Sequence, residues 1–301
     1  MDGIINIYKE ADYTSHDVVA RMRGILKTRK IGHTGTLDPD AVGVLPVCIG
    51  RATKACDMLT DRSKVYEAVL RLGITTDTED MSGTILTENL VDVTEEQVVE
   101  AVHHFLGDYE QIPPMYSAIK VEGRKLYEIA REGKVIERKP RPVTIYELEI
   151  IKIELPLVHI RISCSKGTYI RSLCRDIGDR LGCGGCMKHL TRTRVGEFVI
   201  ENAITLSQLE DLVREERVEE FIKPVDRLFV QYPKVKVSTK SEHALLTNGN
   251  PLAARKLRMN EEHRVDGQWL RLYDLDDRFV ALYQYDTEKR RIKPLKMFLN
   301  N

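Results

Sequence analysis

The chain has 301 residues, a formal net charge of zero from 46 Lys+Arg against 46 Asp+Glu, and 42% hydrophobic content. These values exclude a disordered tail and predict a globular protein of roughly two domains, with no apolar run near the ~20 residues of a membrane span. The N-terminus lacks a secretory pattern and six cysteines are too few for a disulfide framework, so a cytoplasmic protein is expected.

Residues 3–8 (GIINIY) read as a short apolar strand. Thr14 and Asp17 form a capping-box pattern ahead of Val18, Val19, Met22, Ile25 and Leu26 at helical spacing, predicting a helix to about Lys27. Residues 64–72 (KVYEAVLRL) read as a strand with imperfect alternation. Residues 94–106 form a second capped helix, with Val98, Val99, Val102, Phe105 and Leu106 inward. From 107 to 142 the pattern breaks into a Gly- and Pro-punctuated basic stretch, which reads as a long functional loop. Residues 143–153 and 157–165 are β-rich runs flanking Pro156, a hairpin. Residues 168–181 form a helix capped by Thr168, with Leu173, Ile177 and Leu181 on its apolar stripe. After about residue 230 the texture becomes short strands with turns, a small all-β C-terminal domain. Strands and helices mix without strict βαβ alternation, so the fold class is α+β.

Zero net charge argues at first sight against a nucleic-acid partner. The zero is a cancellation: 21–54 is +5, 61–110 is −9, 111–142 is +4, 161–200 is +5, 201–229 is −4 and 230–301 is +5. If the basic blocks share one face around a functional site, a polyanion could be bound there.

The segment from Gly32 to Gly43 is the most unusual, holding three glycines, Pro39, Asp38 and Asp40. Pro39 restricts Asp38 to extended geometry, and Lys27, Arg29, Lys30, His33, Arg51 and Lys54 surround it in sequence. An ordinary turn capped by Asp38 would use the same residues. A fixed carboxylate in a basic setting would instead stay ionised and serve as nucleophile or electrostatic stabiliser. A second candidate is the strand-to-helix junction of Ser165 to Arg171, where Tyr169 and Arg171 offer a stacking face and a carboxylate partner. Cys183 and Cys186 supply two metal ligands where tetrahedral zinc needs about four. Neither a phosphate loop nor a convincing dinucleotide fingerprint is present, so neither metal nor cofactor is expected.

GHTGTLDPDAVGVLPVCIGRATK (residues 32–54) closely resembles the catalytic motif of the TruB family, the bacterial tRNA pseudouridine-55 synthases. Further similar segments run in family order: TSHDVV (14–19), KVYEAVLRLGITTDTED (64–80), QIPPMYSAIKVEGRKLYEIAREG (111–133) and SKGTYIRSLCRDIGDRLG (165–182). The resemblance covers at least residues 3–200. It implies a mixed or antiparallel central sheet flanked by helices in a catalytic domain over 1–229. A thumb-like insertion would occupy about 107–142 and a PUA-like RNA-binding domain 230–301. The implied activity isomerises uridine 55 in the tRNA T-loop to pseudouridine by base flipping, without cofactor or metal. By the same resemblance Asp38 is the essential aspartate, Tyr66 stacks on the target base and joins proton transfer, and Arg171 pairs with the carboxylate. Tyr169 and Leu190 line the uridine pocket, and His33 holds the flipped T-loop. The implied partner is tRNA through its T-arm and T-loop, with no membrane, no obligate protein partner and a monomeric state. The chain departs from the family at Val42, at Glu10 to Tyr13, at Gly184-Gly185-Cys186 and at His189 to Arg192, which touches the surroundings of Leu190. Two other readings are a tRNA-binding folding chaperone with weak or absent catalysis and a guide-RNA-dependent relative.

Overall fold

A computed structural model describes residues 1–121 and 123–299; Glu122, in the basic stretch, and residues 300 and 301, at the end of the expected C-terminal domain, lie outside the described residues. Strand β1 (Gly3–Lys9) is buried along nearly its whole length. Helix α1 (Ser15–Ile25) begins at the expected box: the Thr14 hydroxyl accepts from the Asp17 N–H, and the Asp17 carboxylate accepts from the Thr14 N–H. Strands β2 (Ile31–His33) and β3 (Val42–Ile49) bracket the glycine-rich loop, and α2 (Cys56–Thr60) follows. Strand β4 (Lys64–Leu72) alternates strictly in burial, turning Lys64, Tyr66, Ala68, Leu70 and Leu72 inward. Strands β5 (Ile74–Thr76) and β6 (Ile85–Glu88) form a small hairpin.

Helix α3 (Glu95–His103) carries the expected Thr94/Gln97 box, but Val99 and Leu106, read as inward, are exposed. Its inner stripe is Val98, Ala101, Val102 and Phe105; Val99 sits about 100° round the helix from Val98, and Leu106 lies past its end. Strand β7 (Gly107–Gln111) pairs with the start of β10 (Arg141–Glu154), so these five residues belong to the sheet rather than to a loop. Its outward Asp108 and Glu110 are what edge strands carry, and they disguise it in sequence. The segment standing outside the sheet is therefore 112–140. It holds the hairpin β8 (Lys120–Val121) and β9 (Arg124–Lys125), helix α4 (Leu126–Arg131) and its own small core of Met115, Leu126 and Ile129.

Strands β10 and β11 (Leu157–Cys164) form the expected hairpin, with a cis peptide before Pro156. Helix α5 (Ile170–Arg180) is capped at Tyr169, not Thr168, whose hydroxyl instead donates to the Ser165 carbonyl. Strands β12 (Gly185–Val195) and β13 (Phe198–Val199) and helix α6 (Leu206–Arg214) complete this part. The sheet runs β1-β3-β12-β4-β11-β10-β7, with β2 added on β3 and β13 on β12. Strand β12 is parallel to β3 and antiparallel to β4, so the sheet is mixed, as expected. One core lies between this sheet and α3 and α5, and a second involves α1 and α6.

A second sheet contains β14 (Lys234–Lys236), β15 (Leu252–Ala253), β16 (Trp269–Tyr273), β17 (Phe279–Asp286) and β18 (Arg291–Met297), in the order β14-β16-β17-β18-β15. The region is strand-rich but not wholly β: α7 (Lys240–Thr247) starts at a Thr239/Glu242 capping box. Leu282, Phe298 and Phe229 pack with Ile4, Val44 and Cys48, joining the two sheets through one apolar cluster.

Candidate active site

The seam between β3 and β12 positions the site. Thr191 faces Val42 and Arg192 faces Gly43 there, so the loop that precedes β3 lands beside β12. A Cβ on Gly43 would sit 2.3 Å from the Arg192 carbonyl oxygen, and its φ is +107°; only glycine lets the strands close. Leu37 then enters the core with Ala41, Tyr66 and Leu190, and its N–H donates to the Ser15 hydroxyl over 2.9 Å. Leu37 is buried, and the next residue, Asp38, is only partly so.

Asp38 meets Arg171 at two points: Arg171 Nη2 donates to Oδ1 and Nε lies by Oδ2, both at 3.0 Å. The Arg171 side chain is only 7% exposed. It also donates to the Thr78 carbonyl at 3.0 Å and the Tyr116 carbonyl at 2.9 Å, and it lies 3.5 Å from Asp80. Planar guanidinium suits this two-point pairing and a point-charge ammonium does not. The Asp38 side chain keeps 37% of its surface open although protein crowds it. That crowding, followed by the Asp80 charge, raises its pKa above the ordinary carboxylate value, with Arg171 and then Lys9 opposing. Pairing with Arg171, more than a generally basic surround, is what favours the anion against that crowding.

Tyr66 and Leu190 project from adjacent strands, opposite Arg192 and Ala68 respectively, and both are buried in the cluster that holds Leu37. Burial drives the Tyr66 phenol pKa up, with the nearby Arg192 charge opposing, so the ring stays neutral. Tyr169 caps α5 beside Arg171, and its backbone N–H and C=O are both bonded by the Gln111 side-chain amide, at 2.8 and 3.0 Å. Asp38, Arg171, Tyr66, Tyr169 and Leu190 therefore gather at one place. His33 stands on the other arm of the loop: its ring packs edge-on against His16 at 5.2 Å, and Nδ1 accepts from the Gly35 N–H. Burial, with the charges of His16 and Arg192, lowers its pKa to about 4.

Three supporting residues escaped the sequence reading. Arg192, 1% exposed, donates from Nε to the Val44 carbonyl at 2.8 Å and from its terminal nitrogens to those of Gly35 and Thr36. Lys9, also buried, donates to the Pro39 carbonyl at 2.7 Å and the Glu10 carbonyl at 3.0 Å; burial lowers its pKa to about 8. Arg192 thus ties the two flanks of the loop together and Lys9 holds its middle. Gln111 is the third, and its only signal was its place within a family-like segment. The basic block 161–200 also offers less to a polyanion than its net charge implies. Arg171 and Arg192 are buried, Arg175 is mostly so, and Arg161 is paired with Glu67 and Glu149.

The chain matches two family models, the TruB family pseudouridylate synthase N-terminal domain over residues 23–170 and the tRNA pseudouridylate synthase B C-terminal domain over 171–230. It is 55% identical to tRNA pseudouridine synthase B of Lachnoclostridium phytofermentans across 99% of this chain and 100% of that one. The same protein of Clostridium novyi is 46% identical across 98% and 99%. Among solved structures, a Cbf5–Nop10–Gar1 complex aligns with a TM-score of 0.73 and 31% identity, covering 99% of this chain and 85% of that one. An H/ACA ribonucleoprotein bound to a substrate RNA containing 2′-deoxyuridine aligns at 0.72 and 29%, again over 99% and 85%. With this similarity along its whole length, the chain belongs to the TruB family of pseudouridylate synthases, isomerases that convert uridine to pseudouridine.

Proposed function

We propose that the protein acts on uridine 55 in the T-loop of tRNA, with Asp38 as the catalytic carboxylate. The observation that carries this reading is the two-point Asp38–Arg171 pair beside the neutral ring of Tyr66. In the isomerisation the N1–C1′ bond breaks, the uracil turns, a C5–C1′ bond forms, the C5 proton leaves and N1 ends protonated. No electrons and no phosphate energy enter, so the residues need only hold charge, base and protons. The Asp38 anion opposes the positive charge that builds at the sugar as N1 departs. Arg171 fixes the orientation of that anion, Tyr66 provides a face for the loose base, and Tyr169 and Leu190 wall the uridine. His33 supports the opened T-loop. A base stacked in that loop must be extruded first, at a cost of about a few kcal/mol.

The same reading makes the 112–140 segment a thumb against the T-arm and residues 230–301 a PUA-like RNA-binding domain beside the catalytic 1–229. The basic blocks would share the RNA-facing side. The protein would work as a cytoplasmic monomer without an obligate partner. Among the described residues, no helix is long and apolar enough to cross a membrane. The test is incubation of purified protein with unmodified tRNA transcript, followed by pseudouridine mapping. Product at position 55 is expected. Tight binding without product would leave the folding-chaperone reading, and activity only with a guide RNA and partner proteins would leave the guide-dependent one.

A further inference from the structure

Glu79 occupies a position that its own backbone disfavours. Its φ is +64°, a region in which side chains other than glycine and asparagine are rare, yet the residue is 7% exposed and its carboxylate is fully engaged. Strain of this kind persists only where surrounding contacts impose it. The contacts are specific. The Ser172 hydroxyl donates to Oε2 over 2.6 Å, Arg175 Nη1 donates to Oε1, and Arg138 Nη1 lies 3.9 Å from the same oxygen. The Glu79 carbonyl also accepts from the Met187 N–H at 3.0 Å, stitching the loop to β12.

Each partner leads to a different part of the site. Ser172 and Arg175 follow Arg171 on α5, and Asp80 follows Glu79 in its loop. The Arg171–Asp80 contact and the Ser172–Glu79 bond thus form adjacent rungs between the same two segments. Arg175 Nη2 donates to the Ile112 carbonyl at 3.2 Å, and Arg138 Nη1 to that of Pro113 at 2.9 Å. Both roots of the 112–140 segment are thereby tied to one carboxylate. Arg175 has a second anion in Asp176; Arg138 has only Glu79 as a carboxylate neighbour among the described residues, and its buried Nε has no partner.

We propose that Glu79 is a positioning residue for the isomerisation: it holds the Asp80 loop against α5, so that Arg171 presents Asp38 correctly, and it anchors the root of the inserted segment. This inference rests on the proposed role of Asp38. The side chain reaches no reacting atom and acts through Arg171 and Asp80.

The test compares Glu79→Ala, Glu79→Gly and Glu79→Gln with the unaltered full-length protein. Single-turnover pseudouridine formation at saturating tRNA transcript, KM for tRNA and trypsin cleavage within 112–140 are measured together. The glycine variant is included because it relieves the positive φ while deleting the carboxylate, so a loss shared by the Gly and Ala variants reports the carboxylate and not backbone strain. A displacement of about 1 Å at a reacting group costs about 100-fold in rate. We expect a loss of about that size in the Ala and Gly variants, a change in KM under about threefold, and faster trypsin cleavage at the insertion. The glutamine variant keeps an acceptor for Ser172 and should recover part of the rate. A Gly variant within about threefold of the unaltered rate would overturn the proposal. So would a lowered melting temperature with an unchanged rate per folded molecule. Failure of the unaltered protein to form product would strike the reading of Asp38 instead, which keeps the two failures apart.

Discussion

Arg171 is the residue whose replacement separates charge from geometry at the site. It makes four contacts at 2.9–3.0 Å, to both oxygens of Asp38 and to the carbonyls of Thr78 and Tyr116. Arg171→Met removes all of them and leaves Asp38 and Asp80 without their shared cation. Breaking one side of a buried pair costs about 3–5 kcal/mol. Asp38 is 37% exposed and water screens part of that, so about 2–3 kcal/mol is the appropriate range. If that loss falls on the transition state, the rate should drop about 30- to 160-fold at about 1.4 kcal/mol per factor of ten. Arg171→Lys keeps a charge but cannot present the coplanar fork. Losing one or two charge-assisted bonds costs about 1–2 kcal/mol, a fall of about 5- to 30-fold.

The pH dependence distinguishes the two variants. On the proposed role Asp38 works as an anion, so activity is lost as pH falls through its pKa, which burial already holds above the ordinary value while Arg171 pulls it down. Without the guanidinium the pKa rises further, and the acid limb of the rate profile moves to higher pH in Arg171→Met. In Arg171→Lys it stays close to its original place. The assay is single-turnover pseudouridine formation across a pH series on unmodified tRNA transcript. A Met variant within about threefold of the unaltered rate at neutral pH, or with an unmoved acid limb, would refute the reasoning.

Asp38→Asn should abolish product while tRNA affinity, measured by filter binding, stays within about threefold. Gly43→Ala puts a Cβ 2.3 Å from the Arg192 carbonyl oxygen at φ +107°; thermal unfolding should show a loss of about 2 kcal/mol or more, with activity falling as the loop shifts. His33 has its pKa lowered to about 4 from 6.5, so between those values the unfolded chain binds the extra proton and stability falls as pH falls. His33→Gln should flatten that part of the stability curve, and an unchanged slope in urea unfolding from pH 6.5 to 4 would contradict the assignment.

Local signals were readable wherever the chain satisfies itself locally. The Thr14/Asp17 and Thr94/Gln97 boxes lie within four residues, and the helices start where those spacings say. The alternation in β4 looks broken in sequence because Lys64 is inward, yet its burial period is regular. Elements fixed by distant partners were not readable. The polar outer face of β7 hides a strand that exists because β10 pairs with it. Lys9 and Arg192 are charged residues in the interior, and nothing nearby in sequence says so. Their acceptors come from residues 35, 36 and 44 for Arg192 and chiefly from Pro39 for Lys9, about 30 or more positions away. Asp38 was found by its unusual loop and its resemblance; its support could be found only by folding.

That support also revises the meaning of the chain's zero net charge. Lys9, Lys64, Arg171 and Arg192 are all buried, and each donates to main-chain carbonyls. A buried cation is costly unless its hydrogen bonds are satisfied, and here carbonyl dipoles supply them. Part of the cost remains visible, since burial lowers the pKa of Lys9 and of Lys64 to about 8. Against these cations stand Asp38, its neighbour Asp80 and the buried Glu79. Cations that whole-chain and block sums count as available charge are therefore spent inside the fold. Of them, Arg171 and then Lys9 oppose the protonation of Asp38 that burial favours. Rigidly placed interior charge of this kind acts at short range and is screened little by salt. On the proposed function, product formation at saturating tRNA should depend far less on ionic strength than tRNA affinity, which would rest on the exposed lysines and arginines.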